Sequence, residues 1–193
     1  MKKTSSEKRK RKPRSDAERN REHILEVAKR VFALQGTAAS MGEIARRANV
    51  GPGTLYRHFT SRDELVASVY LDEVEKLAEA QKRFSCDMSP VDALRAWLMV
   101  SVEYLAAKKL IAPALDAMVG GPSQVFGRSS ELIRNAMATL ALAAVESGDL
   151  RPDIDPMDLL RAIYGISIAG SEGDWVARAK TFIDILLQGS RPR

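Results

Sequence analysis

Residues 40–59, SMGEIARRANVGPGTLYRHF, leave the chain few choices: they encode two short helices folded across one sharp turn. Ser40 precedes Glu43 by three positions, the spacing at which a hydroxyl accepts from the Glu43 amide and the carboxylate reaches back to the Ser40 amide. Ile44, Ala45 and Ala48 then supply an inward apolar face. Asn49 falls where the chain must reverse, and asparagine tolerates the left-handed conformation such a turn requires. Val50 is the natural plug between the helices. Gly51 is an acceptable N-cap, and Pro52 suits a first helical position because it has no amide hydrogen to satisfy.

The second helix is expected over about residues 52–59, with Leu55 and Phe59 inward and Gly53, Thr54, Arg57 and His58 facing elsewhere, Tyr56 at the border. A short helix whose free face is polar, basic and aromatic suits the major groove of DNA. Gly53 permits close backbone approach. Arg57 can make a bidentate bond to guanine or hold a phosphate, and Thr54, Tyr56 and His58 can donate to phosphate oxygens. With Ser40, Pro52 and Arg62 these residues form the candidate nucleic-acid contacts. Arg46 and Arg47 either touch phosphates or are solvated, and the sequence leaves both readings open.

These residues carry a resemblance. Ile44-Ala45-Arg46-Arg47-Ala48, Val50 and above all Gly53-Thr54-Leu55-Tyr56-Arg57-His58-Phe59 resemble the DNA-binding domain of TetR-type (TetR/AcrR) bacterial transcriptional repressors. The preceding run Ile24-Leu25-Glu26-Val27-Ala28-Lys29-Arg30-Val31-Phe32, ending at Gly36, is similar to that family's first helix. Ser61-Arg62-Asp63-Glu64-Leu65 is similar to the start of its fourth. The strong likeness covers roughly residues 20 to 70. The chain departs from the common pattern at Asn49, where glycine is usual, and at Gly51, where a hydroxyl residue is usual.

Charge divides the chain. Through Arg62 there are sixteen Lys or Arg against six Asp or Glu; from Asp63 onward there are fourteen against nineteen. A front half at +10 and a remainder at −5 imply a polyanionic partner for the front half alone. The first twenty residues hold Lys8-Arg9-Lys10-Arg11-Lys12-Pro13-Arg14 and almost no apolar side chain, so they are expected to lack a fold of their own when free. Alone, such a run also reads as a nuclear localisation signal, an RNA-binding arm or a solubilising tail. Ahead of a TetR-like first helix it reads as an arm that touches phosphates or a minor groove.

Beyond residue 60 the pattern is helical almost throughout, without strand alternation or repeats. Helices are expected over residues 62–84, 90–107, 113–119, 123–147, 155–169 and 175–188. Ser61, Asp155 and Asp174 are their clearest caps, and Gly120-Gly121-Pro122 and residues 170–173 their breaks. With three in the head this makes about nine, an all-α count that resembles the TetR family. The division follows: a basic arm over 1–20, a helix-turn-helix domain over 21–66, and a helical effector-binding and dimerisation domain over 67–190.

The resemblance implies two further surfaces. The last two helices usually pair with their copies in a second subunit. Ala162, Gly165, Ile166 and Ala169 would offer a small apolar side and Phe182, Ile183 and Leu186 bulk, unless these residues only fill an internal core. The middle helices usually enclose an inducer site, for which the candidates are Trp97, Ser101, Tyr104, Met118, Phe126, Met137, Tyr164 and Ser167. Ser101 and Ser167 interrupt apolar faces. A buried hydroxyl needs a partner, either a ligand or the carbonyl one turn back.

The function implied is a homodimeric, ligand-responsive repressor that binds palindromic double-stranded operator DNA and is released by a small, apolar or amphipathic inducer. The alternative is a constitutive or architectural DNA binder with no effector. No catalytic chemistry is expected: His23 and His58 both lie in the head without metal-ligand spacing, and no nucleophile-elbow, Walker-type or dinucleotide-binding glycine pattern occurs. No cofactor or metal is implied. One cysteine, Cys86, allows no internal disulfide and fits a reducing cytoplasm. The basic N-terminus lacks the apolar stretch of a secretory signal, and no run is long enough to span a bilayer.

Overall fold

A computed structural model describes residues 13–169 and 174–192, with backbone alone for 13–15, 124 and 128. The regular structure described is helical: α1 (Pro13–Gln35), a 3-10 turn (Gly36–Ala38), α2 (Met41–Arg47), α3 (Pro52–His58), α4 (Arg62–Asp87), α5 (Pro90–Asp116), α6 (Ser123–Glu146), α7 (Pro156–Ala169) and α8 (Trp175–Gly189).

Local chemistry explains most boundaries. Ser61 accepts from the Glu64 amide at 3.1 Å, while the Glu64 carboxylate accepts from the Thr60 amide at 2.7 Å, so both residues before α4 are tied to its first turn. Ser89 caps α5, with Pro90 in its first turn. Asp155 accepts from the Met157 amide at 2.9 Å ahead of α7. Asp174, expected to cap α8, makes no such bond; its carboxylate accepts from Arg178 at 2.9 Å instead.

Two boundaries differ from the sequence expectation. α1 begins at Pro13, so residues 13–20 are helical, while the basic run 8–12 and the break at 170–173 lie outside the described residues. The separate helix expected over 113–119 is the end of α5, which continues through Pro113 to Asp116. Proline removes one helical hydrogen bond. Pro113 is exposed, however, where water can satisfy the freed carbonyl, while Ile111, Ala114 and Leu115 hold that stretch in the core. The described helices therefore number eight, not nine.

The three N-terminal helices form a head that rests on α4 chiefly through α1. Behind it, α4 packs most extensively on α5, α6 lies against both, α7 packs on α6 and α8, and α8 packs back on α5. One apolar core runs through both parts, from Ile24, Phe32 and Phe59 in the head to Trp97, Met137 and Ile183 behind it. Ion pairs fasten the halves: Lys29 meets Glu73 at 2.7 Å and Lys76 meets Glu26 at 2.6 Å, each joining α1 to α4. The Asp63 carboxylate, in the first turn of α4, accepts from the Val119 amide at 2.9 Å, fastening the loop after α5 to the same place.

Candidate nucleic-acid interface

The head is built around a turn of fixed geometry. Ser40 Oγ accepts from the Glu43 amide at 3.2 Å and starts α2. The Glu43 carboxylate does not complete the reciprocal bond; it holds Arg46 at 2.9 Å and Arg47 at 2.6 Å. These two arginines pull the Glu43 carboxyl down to about 2. At the other end Asn49 takes φ 54°, its amide donates to the Arg46 carbonyl at 3.2 Å, and the Val50 amide donates to Ala45 at 3.0 Å. This is the paired-bond helix stop that usually needs glycine, here closed by asparagine. His23 on α1 lies 3.2 Å from the Ala48 carbonyl; a carbonyl can only accept, so Nε2 carries the proton and pins the turn to α1.

α3 then projects from this turn. Gly51 caps it, its carbonyl accepting from the Thr54 and Leu55 amides at 2.9 and 3.1 Å. Leu55 and Phe59 are wholly buried, and the Arg21 guanidinium lies 5.1 Å from the Phe59 ring centre. With those anchors fixed, Pro52, Gly53, Tyr56 and Arg57 face outward, Tyr56 half exposed. A Cβ added to Gly53 would meet nothing, so the surface is open there. Thr54 and His58 are half-buried at the edges of that face. Arg57 has no hydrogen-bond or ion-pair partner among the described residues.

Arg62 is placed differently. Its guanidinium donates to the carbonyls of Ala39 at 3.1 Å and Gly36 at 3.2 Å and covers the Phe32 ring at 5.4 Å. Those donors secure the 3-10 turn to α4, so Arg62 is removed from the phosphate contacts the sequence suggested.

Behind the head, α4, α5, α6 and α7 surround a cavity of about 390 Å³. Of the sequence candidates, Ser101, Tyr104, Phe126 and Tyr164 line it. Trp97 does not: it is fully buried, with its indole N–H donated to the Leu77 carbonyl at 2.9 Å. Met137 is core, and Met118 and Ser167 also lie off the lining. Ser101 and Ser167 each donate to a carbonyl of their own helix, Leu98 and Tyr164, at 2.7 Å. The lining also includes Tyr70, Lys108, Ser130 and Arg161, which the sequence did not single out, and apolar Leu77, Leu105, Ile133, Met157 and Leu160.

The outer face of α7 and α8 carries Gly165 and Ala169 exposed and Ala162, Ile166, Phe182 and Leu186 half-buried. Ile183 turns inward and is fully buried, so it belongs to the internal core rather than to an external surface. Ile168 and Ile185 are exposed on these helices and were not anticipated. One group of acids gathers elsewhere: Glu26, Asp72 and Glu73 bring carboxylate oxygens within 4.8 Å of one another. Lys29 and Lys76 already neutralise them, and the Lys76 hydrogen bond holds the Glu26 carboxyl below its usual range. An ion there would have to compete with two ammonium groups.

Residues 24–69 match the bacterial regulatory proteins described as the tetR family, and residues 89–192 match the SbtR-like transcriptional regulator C-terminal domain. The chain belongs to the TetR family. The structure of the TetR regulator SCO0520 from Streptomyces coelicolor is 39% identical, with a TM-score of 0.79 over 89% of this chain and 98% of that one. A TetR regulatory protein from Mycobacterium vanbaalenii is 29% identical, with a TM-score of 0.75 over 93% of this chain and 99% of the other. The regulator UidR of Escherichia coli strain K12 is 25% identical over 87% of this chain and 89% of its own length. The likeness to AcrR of Shigella flexneri, 32% identical, spans 48% of this chain and 45% of that protein.

As a TetR-family transcriptional regulator, the chain carries its DNA-binding helix-turn-helix in α2 and α3. Three supporting residues of this TetR head escaped the sequence reading. His23, Arg21 and the structural role of Arg62 all act across helices, and no local spacing announces them. No helix among the described residues is long and apolar enough to cross a membrane.

Proposed function

We propose that this regulator is a homodimeric repressor, placing two copies of α3 in successive major grooves of a palindromic operator and releasing it when a small molecule fills the cavity behind the head. The observation that carries the reading is the outward face of α3: Gly53, Tyr56 and Arg57 stand free on a helix whose other side is locked by Leu55 and Phe59. Two such helices must stand about 34–36 Å apart, or a multiple, to read a two-fold site. The exposed apolar side chains Tyr164, Ile168 and Ile185 on α7 and α8 support pairing through those helices. Operator contacts are assigned to Ser40, Pro52, Gly53, Thr54, Tyr56, Arg57 and His58.

A constitutive binder would suit a core filled throughout, whereas the 390 Å³ cavity supports the ligand-responsive reading. α4 supplies both a wall of that cavity and the seat of the head. A ligand shifts the equilibrium only by its differential affinity for the two states, and tenfold release requires about 1.4 kcal/mol. The test is a duplex selected from a random library, followed by fluorescence anisotropy and sedimentation. A dimer is expected, with Arg57→Ala weakening the selected duplex by about 1–3 kcal/mol while random DNA loses less. A monomer, or equal affinity for selected and scrambled duplexes, would overturn the reading.

A further inference from the structure

We infer that the cavity between α4, α5, α6 and α7 takes an amphipathic organic anion, its charged end held by the Lys108 ammonium and the Tyr104 hydroxyl. This deepens, and rests on, the reading of that cavity as the effector site.

Among the described residues the lining holds two cations, Lys108 and Arg161, and no carboxylate. Arg161 is already balanced by Asp158 at 2.6 Å and Asp155 at 3.2 Å. Lys108 is not: unlike Lys29, Lys76 and Lys180, it has no ion-pair partner among the described residues. The residue is half-buried, and its ammonium rests 4.5 Å from the Phe126 ring centre and 5.9 Å from that of Tyr70. Aromatic faces attract a cation but accept none of its three N–H bonds strongly. A carboxylate, sulfonate or phosphate oxygen would.

Beside it runs a chain of hydroxyls. Tyr104 Oη lies 3.0 Å from Tyr70 Oη, which lies 2.9 Å from Ser129 Oγ, which reaches the Phe126 carbonyl at 2.9 Å. Each hydroxyl has one proton and can rotate it. In one direction Tyr104 donates to Tyr70, Tyr70 to Ser129, and Ser129 to the carbonyl. Reversed, Ser129 donates to Tyr70 and Tyr70 to Tyr104, which frees the Tyr104 proton for a ligand oxygen in the cavity. Burial, and then the Tyr70 neighbour, push the Tyr104 hydroxyl above the ordinary phenol range, so that proton stays available. Leu77, Leu105, Ile133, Met157 and Leu160 give a hydrocarbon or aromatic body apolar contact, and Ser101, Ser130 and Tyr164 also line the wall.

The test uses the full chain and three probes with one body: octanoate, octanamide and octylammonium, titrated calorimetrically. Octanoate is expected to bind at least about tenfold tighter than octanamide, with octylammonium weakest. Lys108→Met should erase the octanoate-to-octanamide ratio and Lys108→Arg should restore it; Tyr104→Phe should reduce the ratio. Because the ratio is internal to each variant, a general loss of stability does not imitate it. Equal or tighter binding of the amide or the ammonium overturns the inference, as does a ratio that survives Lys108→Met, or no binding of any probe. The same probes added to the protein on its selected duplex separate the two readings. Preferential octanoate binding without DNA release leaves the anion site standing and defeats the effector reading. DNA release by octanamide as effective as by octanoate does the reverse.

Discussion

The head and the cavity behind it are specified in opposite ways. In the head, Ser40 bonds a residue three positions on, Asn49 closes the same helix, and the outward residues of α3 follow within a turn. In the cavity, Tyr70 meets Tyr104 34 residues away and Ser129 59 residues away, each contributed by a different helix. A surface meant for a regular polymer can be written in one short stretch, because the helix itself supplies the shape. A cavity needs walls from several directions, so its residues are scattered along the chain.

The largest test of that contrast is Phe59→Ala. It removes a wholly buried ring at the base of α3 and should cost about 3–5 kcal/mol. Urea unfolding followed by both tryptophans, which lie behind the head, and by far-ultraviolet circular dichroism shows whether the head melts alone. Because one core runs from Phe59 to Trp97, a single shared transition is expected. Two separated transitions would mean that the head is an independent unit.

A smaller effect is expected at the turn. Asn49→Ala places a Cβ residue without a compensating polar group at φ 54°, which should cost about 1–2 kcal/mol, while Asn49→Gly should be neutral or better. Denaturant midpoints of the pair would show whether the turn or the flanking core sets the stability of the head.

The smallest effect lies on the surface. Glu43 titrates at about 2 against an ordinary 4.5, so its pairing with Arg46 and Arg47 is fully present above pH 4.5 and is lost as pH falls through 2. Glu43→Gln should flatten the acid limb of the stability profile. It also releases two guanidinium groups on α2, beside the helix proposed to face the operator. Where these reach phosphates, the salt slope of DNA binding should steepen by about one to two units. An unchanged slope would place both arginines away from the duplex.

Legibility followed the same division. Caps at Ser40, Ser61 and Asp155, the left-handed Asn49 and the buried pair Leu55 and Phe59 were readable because donor and acceptor, or the two apolar residues, lie within one helical turn. Trp97, Met137, Ser167 and Ile183 were read to the wrong surface for one reason. Periodicity shows that a helix has an apolar side but not which neighbour covers it. Arg62 looked like a phosphate contact because its three carbonyl partners belong to another element. Lys108 was invisible as a cavity residue because an isolated lysine on a helix is usually solvated, and the rings of Tyr70 and Phe126 that hold it come from α4 and α6. Pro113 misled because proline usually ends a helix, and its exposure is a tertiary fact.

α4 carries Leu77 at the cavity wall and, fifteen residues earlier, Arg62 clamped to the underside of the head. At 1.5 Å per residue those points stand about 22 Å apart, so the helix is a lever. Pivoting by about 5° at the inner point would sweep the outer one through about 2 Å, a hydrogen bond's worth of mismatch. In the proposed dimer two such levers swinging in mirrored senses would double it, and a guest that wedged the wall by a fraction of an ångström would need no further gearing to spoil the register.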